Sequence, residues 1–273
     1  MTNSLTQAQR RALATDHFAK LAPDGDGEAM IAAFTGTHAA FGDLAADYFG
    51  ADIWARPGLS ERDRNLASIA ILGALDLSEF LPAFFRGGLR RGLTRVEMEE
   101  ALIQVGGYAG MPFGNKALTV AAKFFAEVSD APAREPAARL DDQQRWANAV
   151  DVMGTLTNGR ANPDPEAARA AIADALGGVG ELAFDFAFGE IWSRNQISRR
   201  DRSLVVVSIL AALGKEQELA FHVPGALNHG VSREEIEEVM VTLCGYGGFP
   251  RAVEGMRAAR AAFQQIDKEA DDS

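Results

Sequence analysis

Two runs of ten residues, LASIAILGAL at 66–75 and LVVVSILAAL at 204–213, are apolar on every side. Ten residues is long for a strand. Each run follows a serine with an acid three places on, Ser60 to Asp63 and Ser198 to Asp201, a signature of helix N-termini. The pattern predicts a buried central helix in both places, with the β-branched stretch Val205–Val207 pulling against it in the second. A further helix is predicted at about 78–91 and 216–229, ended by Gly92 and Gly230. The next opens on the capping boxes Thr94-x-x-Glu97 and Ser232-x-x-Glu235. Leu93 with Met98 and Val231 with Ile236 are spaced as hydrophobic staples. It runs to Gly107 and Gly245, and Pro112 and Pro250 open a last helix. Two helices precede the first set (about 5–21 and 27–46) and two precede the second (about 141–157 and 165–189). No segment alternates with period two, so an all-α fold is expected.

These elements recur at a constant offset of 138. Between residues 47–112 and 185–250, 25 of 66 positions are identical without a gap, where chance gives roughly 4. The chain therefore reads as two repeated modules, 1–130 and 140–266, superposing about an approximate twofold. The Pro-, Ala- and charge-rich stretch VSDAPAREPAARLDDQQ reads as the linker, and the polar tail IDKEADDS as a frayed end.

Composition narrows the chemistry. The 273 residues can bury a core without a staple. A single cysteine, Cys244, rules out an internal disulfide and a CxxC pair, and four scattered histidines leave little for a multi-histidine metal site. A net charge of −11 disfavours nucleic acid and anionic membrane as partners. The N-terminus MTNSLTQAQRR has no apolar core of a secretory signal, and no apolar run reaches ~18 residues, so the cytoplasm is the expected compartment.

The second copy reads SRRDRSLV, then KEQELAFHVPGALNHGVSREEIEEVM, then CGYGGFPRAVEGM. Its Arg-acid pair, Glu-x-x-x-His, the glycine eight residues after the histidine, the S-x-E-E-I start and Y-x-G-x-P strongly resemble the carboxymuconolactone decarboxylase family, related to the AhpD-like alkylhydroperoxidases. The resemblance covers about 47–125 and 185–263. It implies several helices per module and an assembly of trimers or hexamers of single modules, hence a homotrimer for a fused pair. It also implies decarboxylation of a small carboxylated lactone with no metal and no cofactor. In the peroxidase branch a cysteine pair occupies this helix; here Glu218 stands at the second cysteine position and Cys244 lies in the next helix, which argues against a thiol peroxidase.

Glu218 and His222 are one helical turn apart, on one face, where the first copy has Phe80 and Phe84. The second copy is expected to act, with His222 moving a proton and Glu218 orienting its ring, and the first to be scaffolding. A carboxylate substrate needs local positive charge, for which Arg200, Arg202 and Arg251 are the candidates, with Tyr246 beside its glycines as a further contact. Ion pairing competes for the duplicated arginines, and capping for Asp63 and Asp201. His229 is expected to serve the helix C-terminus, Cys244 to be a small core residue, and Pro224 to kink the His222 helix. The functional expectation is a cofactor-independent carboxy-lyase, against a non-catalytic ligand-binding member of the same family.

Overall fold

The computed structural model describes residues 5–128 and 139–272. Residues 129–138, most of the expected linker, lie outside the described residues. Among those described there are 14 α-helices and no strand. The first half runs α1 (Gln7–Leu21), α2 (Gly27–Thr37), α3 (Ala39–Leu44), α4 (Glu61–Ala74), α5 (Leu81–Arg90), α6 (Arg95–Tyr108) and α7 (Met111–Val128). The second repeats it as α8 (Asp142–Leu156), α9 (Pro165–Leu176), α10 (Gly178–Leu182), α11 (Arg199–Leu213), α12 (Glu216–Asn228), α13 (Arg233–Gly247) and α14 (Phe249–Asp271).

The predicted caps are in place. Ser60 and Ser198 accept from the backbone N–H of Asp63 and Asp201, so the serines cap and the aspartates are left for other work. Both capping boxes close, at Thr94 with Glu97 and at Ser232 with Glu235. The Val205–Val207 run stays helical because all its residues are buried among other helices, where packing overrides the small β preference. The helices expected before each repeat are broken. Each ends in wide-wound π turns, at Ala45–Ile53 and Ala183–Trp192, a rare winding that often marks functional positions. The polar tail is helical through Asp271, tied back by Arg233–Asp267 and Arg160–Glu269 ion pairs.

The halves share one core. α4 packs on α11 and α13, and α11 packs in turn on α6. Residues of both central helices belong to the same buried cluster. The all-apolar runs are therefore covered inside the chain.

Charged residues repeat across this seam in exchanged pairs. Arg62 bonds Asp201 (2.8 Å) and Arg200 pairs with Asp63 (3.0 Å), and each arginine also holds the capping-box glutamate of its own half, Glu97 or Glu235. Deeper in, Glu238 of α13 takes Arg56 (2.7 Å) and Arg64 (3.0 Å) of the first half. Glu100 of α6 takes Arg194 (2.9 Å) and Arg202 (3.2 Å) of the second. Arg64 and Arg202 are fully buried, so each carboxylate is the counter-charge that makes such burial tolerable.

Candidate functional site

α12 starts after Gly214 and ends at Gly230, both in left-handed conformations. It continues through Pro224 without a break. His222 lies on its inner face, 6% exposed. Its ring is stacked on Trp192, the last residue of the second π segment, at 5.8 Å and 8° between planes. Phe221 meets it edge-on at 5.2 Å.

The polar partner of His222 comes from the other half. Tyr108, the last residue of α6, places its hydroxyl 3.3 Å from His222 Nε2. Trp192 Nε1 donates to the same hydroxyl at 2.7 Å. The glycine before it explains the fit: a Cβ on Gly107 would meet Ile191 Cδ1 at 2.9 Å, so a bare backbone lets α6 approach the π segment. Gly245 does the same for Tyr246, where a Cβ would meet the Phe49 ring at 2.7 Å.

The proton inventory follows from these contacts. Burial, with a smaller push from His229, lowers His222 to about 4, so the ring is neutral near pH 7. Burial raises the Tyr108 phenol, against opposing effects of the Trp192 hydrogen bond and the charge of Arg202. Because Trp192 only donates, the phenol proton is free to point at Nε2, and in that arrangement the ring proton is on Nδ1. His222 Nδ1 is buried and has no hydrogen-bond partner among the described residues. One buried ring nitrogen is thus left over, while the phenol serves the other.

The remaining expected residues are distributed differently. Glu218 is exposed and makes no hydrogen bond with His222: the histidine ring turns inward while the carboxylate stays in water. Arg200 is committed to Asp63, Asp201 and Glu235, and Arg202 to Glu100 and the Arg194 carbonyl. These arginines join the halves, although the charge of Arg202 still reaches Tyr108. Arg251 is exposed on the first turn of α14, and no ion pair holds it among the described residues. Tyr246 is not at His222. It lies against Phe84 (5.7 Å) and Phe49 (5.3 Å), in the first half's counterpart of the site. Of its two opposing residues, Phe84 is buried but Phe80 is half exposed, so only one is a core aromatic.

His229 does more than serve its helix end. Ser203 Oγ is 2.7 Å from its Nδ1 and Thr155 Oγ1 is 2.9 Å from its Nε2, so it ties α12 to α11 and α8. Cys244 is partly buried; its thiol donates to the Met240 carbonyl, and burial pushes its pKa up. A groove between α13 and α14, lined by Met240, Val241, Cys244 and Met256, contains none of the residues that contact His222. No group of three or more His, Cys, Asp or Glu residues is placed to hold a metal ion among the described residues. No helix among them is long and apolar enough to cross a membrane.

Fold and site together define a two-module helical protein in which a histidine of one module is completed by a tyrosine of the other. The chain belongs to the carboxymuconolactone decarboxylase family, whose signature matches residues 39–123 and 178–261, more than half its length. It is similar to the 4-carboxymuconolactone decarboxylase of Acinetobacter baylyi, with 38% identity over 81 residues, 30% of this chain and 60% of that protein. It is also similar to the nitrosuccinic acid decarboxylase of Metarhizium robertsii, with 34% identity over 89 residues, 32% of this chain and 62% of that protein. A shorter match, 32% over 59 residues (21% of this chain), is to peroxisomal protein 2 of Schizosaccharomyces pombe, of which it covers 28%. The chain thus spans about three fifths of the two decarboxylases.

Proposed function

We propose that this protein is a cofactor-independent carboxy-lyase acting on a small acid whose carboxylate sits beside an electron-withdrawing group. The observation that carries the reading is the buried Tyr108–His222 pair with its unpartnered Nδ1. The substrates named for the two decarboxylase relatives, a carboxylated lactone and a nitro acid, share that chemistry. When the bond to the carboxyl carbon breaks, CO₂ leaves and the electron pair spreads into the lactone or nitro group. His222 Nδ1 then gives its proton to the reacting centre while Nε2 takes the proton of Tyr108. The Trp192 indole N–H and the charge of Arg202 support the phenolate until Nε2 returns the proton to it as Nδ1 takes a new one from solvent.

Of the three arginines considered for the substrate carboxylate, Arg200 and Arg202 are occupied by carboxylates, which leaves Arg251 as the candidate without an ion pair among the described residues, beside Gly247 at the start of α14. Glu218 is assigned a lesser part at the exposed end of the helix. Self-assembly to a homotrimer is part of the same proposal, supported by exposed Phe80, Met111, Phe221 and Phe249; light scattering at monomer mass would remove it. The decisive assay is CO₂ release from 4-carboxymuconolactone and from nitrosuccinate. His222→Phe and Tyr108→Phe should each lower the rate by about 10²–10⁴, and Glu218→Gln by much less. Full rates in both His222→Phe and Tyr108→Phe, or no CO₂ from either substrate with the unaltered protein, would overturn the reading.

A further inference from the structure

The first half has phenylalanine where the second has His222, yet it gathers more unsatisfied polar atoms. α1, which lies outside the repeated segment, brings in His17, 4% exposed, with its ring 4.2 Å from Trp54. Arg91 Nη2 is 3.0 Å from His17 Nδ1. A guanidinium only donates, so Nδ1 accepts and the neutral ring carries its proton on Nε2. That Nε2 has no partner among the described residues. Trp54 Nε1 and the Tyr246 hydroxyl supplied by the second half face each other, and the hydroxyl also faces Ser68, near enough for both neighbours to act on the phenol but short of full hydrogen-bond geometry.

Arg91 backs these donors. Its side chain is almost wholly buried, lies over the Trp54 ring at 4.7 Å, and is held by Glu61 (3.0 Å) and Asn65 Oδ1 (3.3 Å). A Cβ on Gly87 would meet its Nη1 at 2.6 Å, so the guanidinium rests on bare backbone of α5. Phe49 and Phe84 form the apolar side, both against Tyr246, with Phe49 also 5.8 Å from His17. The second half is the control. There the equivalent indole and tyrosine hydrogen-bond each other, and His229, at the position of Arg91, has both ring nitrogens engaged.

A buried donor without an acceptor is costly; here His17 Nε2 has none, and the Trp54 and Tyr246 donors beside it are only loosely engaged, next to a cation. The matching guest accepts several hydrogen bonds, carries negative charge and has an apolar body. We propose that the first module is a binding site for a small organic carboxylate, whose oxygens accept from His17 Nε2, Trp54 Nε1 and the Tyr246 hydroxyl while its body packs on Phe49 and Phe84. The proposal stands apart from the decarboxylase reading, since it uses none of the atoms around His222.

The test is calorimetric titration of the full chain with sodium benzoate. Saturable binding should persist in His222→Phe. It should weaken about tenfold or more in Tyr246→Phe, which deletes one donor and keeps the ring, and further in His17→Phe. Tyr246→Phe folds if its melting matches the unaltered chain, so the result does not hang on His17. Three outcomes would each overturn the proposal: no saturable heat at millimolar benzoate, binding that Tyr246→Phe leaves intact, or binding lost in His222→Phe.

Discussion

Tyr108 and Tyr246 occupy the same position of the repeat, and the same substitution should act on them with different signs. Tyr108→Phe removes the oxygen that accepts from Trp192 Nε1 (2.7 Å) and faces His222 Nε2 (3.3 Å). The indole N–H is then left buried without an acceptor, a loss of about 1–3 kcal/mol. Tyr246→Phe removes a buried hydroxyl that only loosely engages Ser68 and Trp54, so its ring packing survives and much of a desolvation penalty disappears. Its expected effect on the ligand-free protein is between zero and a gain of about 1 kcal/mol. With about 2–4 °C per kcal/mol for a chain approaching this size, the two variants should melt several degrees apart. Differential scanning calorimetry in one buffer, with reversibility checked by a second scan, reads the difference directly. Equal losses in both variants would show that the two tyrosines are equivalent packing residues, and the asymmetry argued for the two sites would fall.

Other consequences can be measured independently. Glu238→Gln strips the counter-charge from fully buried Arg64 and should cost about 3–5 kcal/mol, whereas Arg56→Ala, whose side chain is half exposed, should cost about 1 or less; urea denaturation distinguishes them. His222 titrates near 4 when folded and near 6.5 when unfolded, so the unfolded chain binds the extra proton between these values. Its contribution is complete above about pH 6.5 and lost on acidification towards pH 4, on the order of 3 kcal/mol. His222→Phe should flatten that part of the stability profile, and an unchanged acid slope would contradict burial of the ring. Cys244→Ser should leave CO₂ release within about threefold, because the thiol is held protonated and has no second cysteine to resolve it; peroxide turnover with a dithiol that this substitution abolishes would revive a redox role.

The helices, caps and staples were legible because they are local: a serine three residues from the N–H it accepts is visible in any window of five. His222 stood out because its repeat partner is phenylalanine. Tyr108 is not legible as its neighbour in the sequence because it crosses the seam from the other copy, and Trp192 is not because it reaches the ring only through the packing of the second π segment on α12. The available signal was the duplicated Gly-Tyr step at 107–108 and 245–246, a small residue that admits another backbone followed by a polar ring. The arginines illustrate the converse. Arg62, Arg64, Arg200 and Arg202 occur in both copies, although only one copy has the histidine. That pattern already favoured a shared structural duty, and the exchanged ion pairs show which one. His17 carried no signal at all, since it precedes the repeat and reaches Trp54 only through the packing of α1 on the first π segment.

The exchange of tyrosines between halves changes how such a chain can diverge. A mutation in α6 is selected for what it does around a histidine more than a hundred residues later, and one in α13 for what it does beside Trp54. Neither copy can be deleted as redundant, because each is missing part of its own site. The duplication has become mutual dependence: the two copies are free to specialise in different directions, but only in company, and a gene split between them would yield two proteins that have to find each other again before either could put a tyrosine beside its tryptophan.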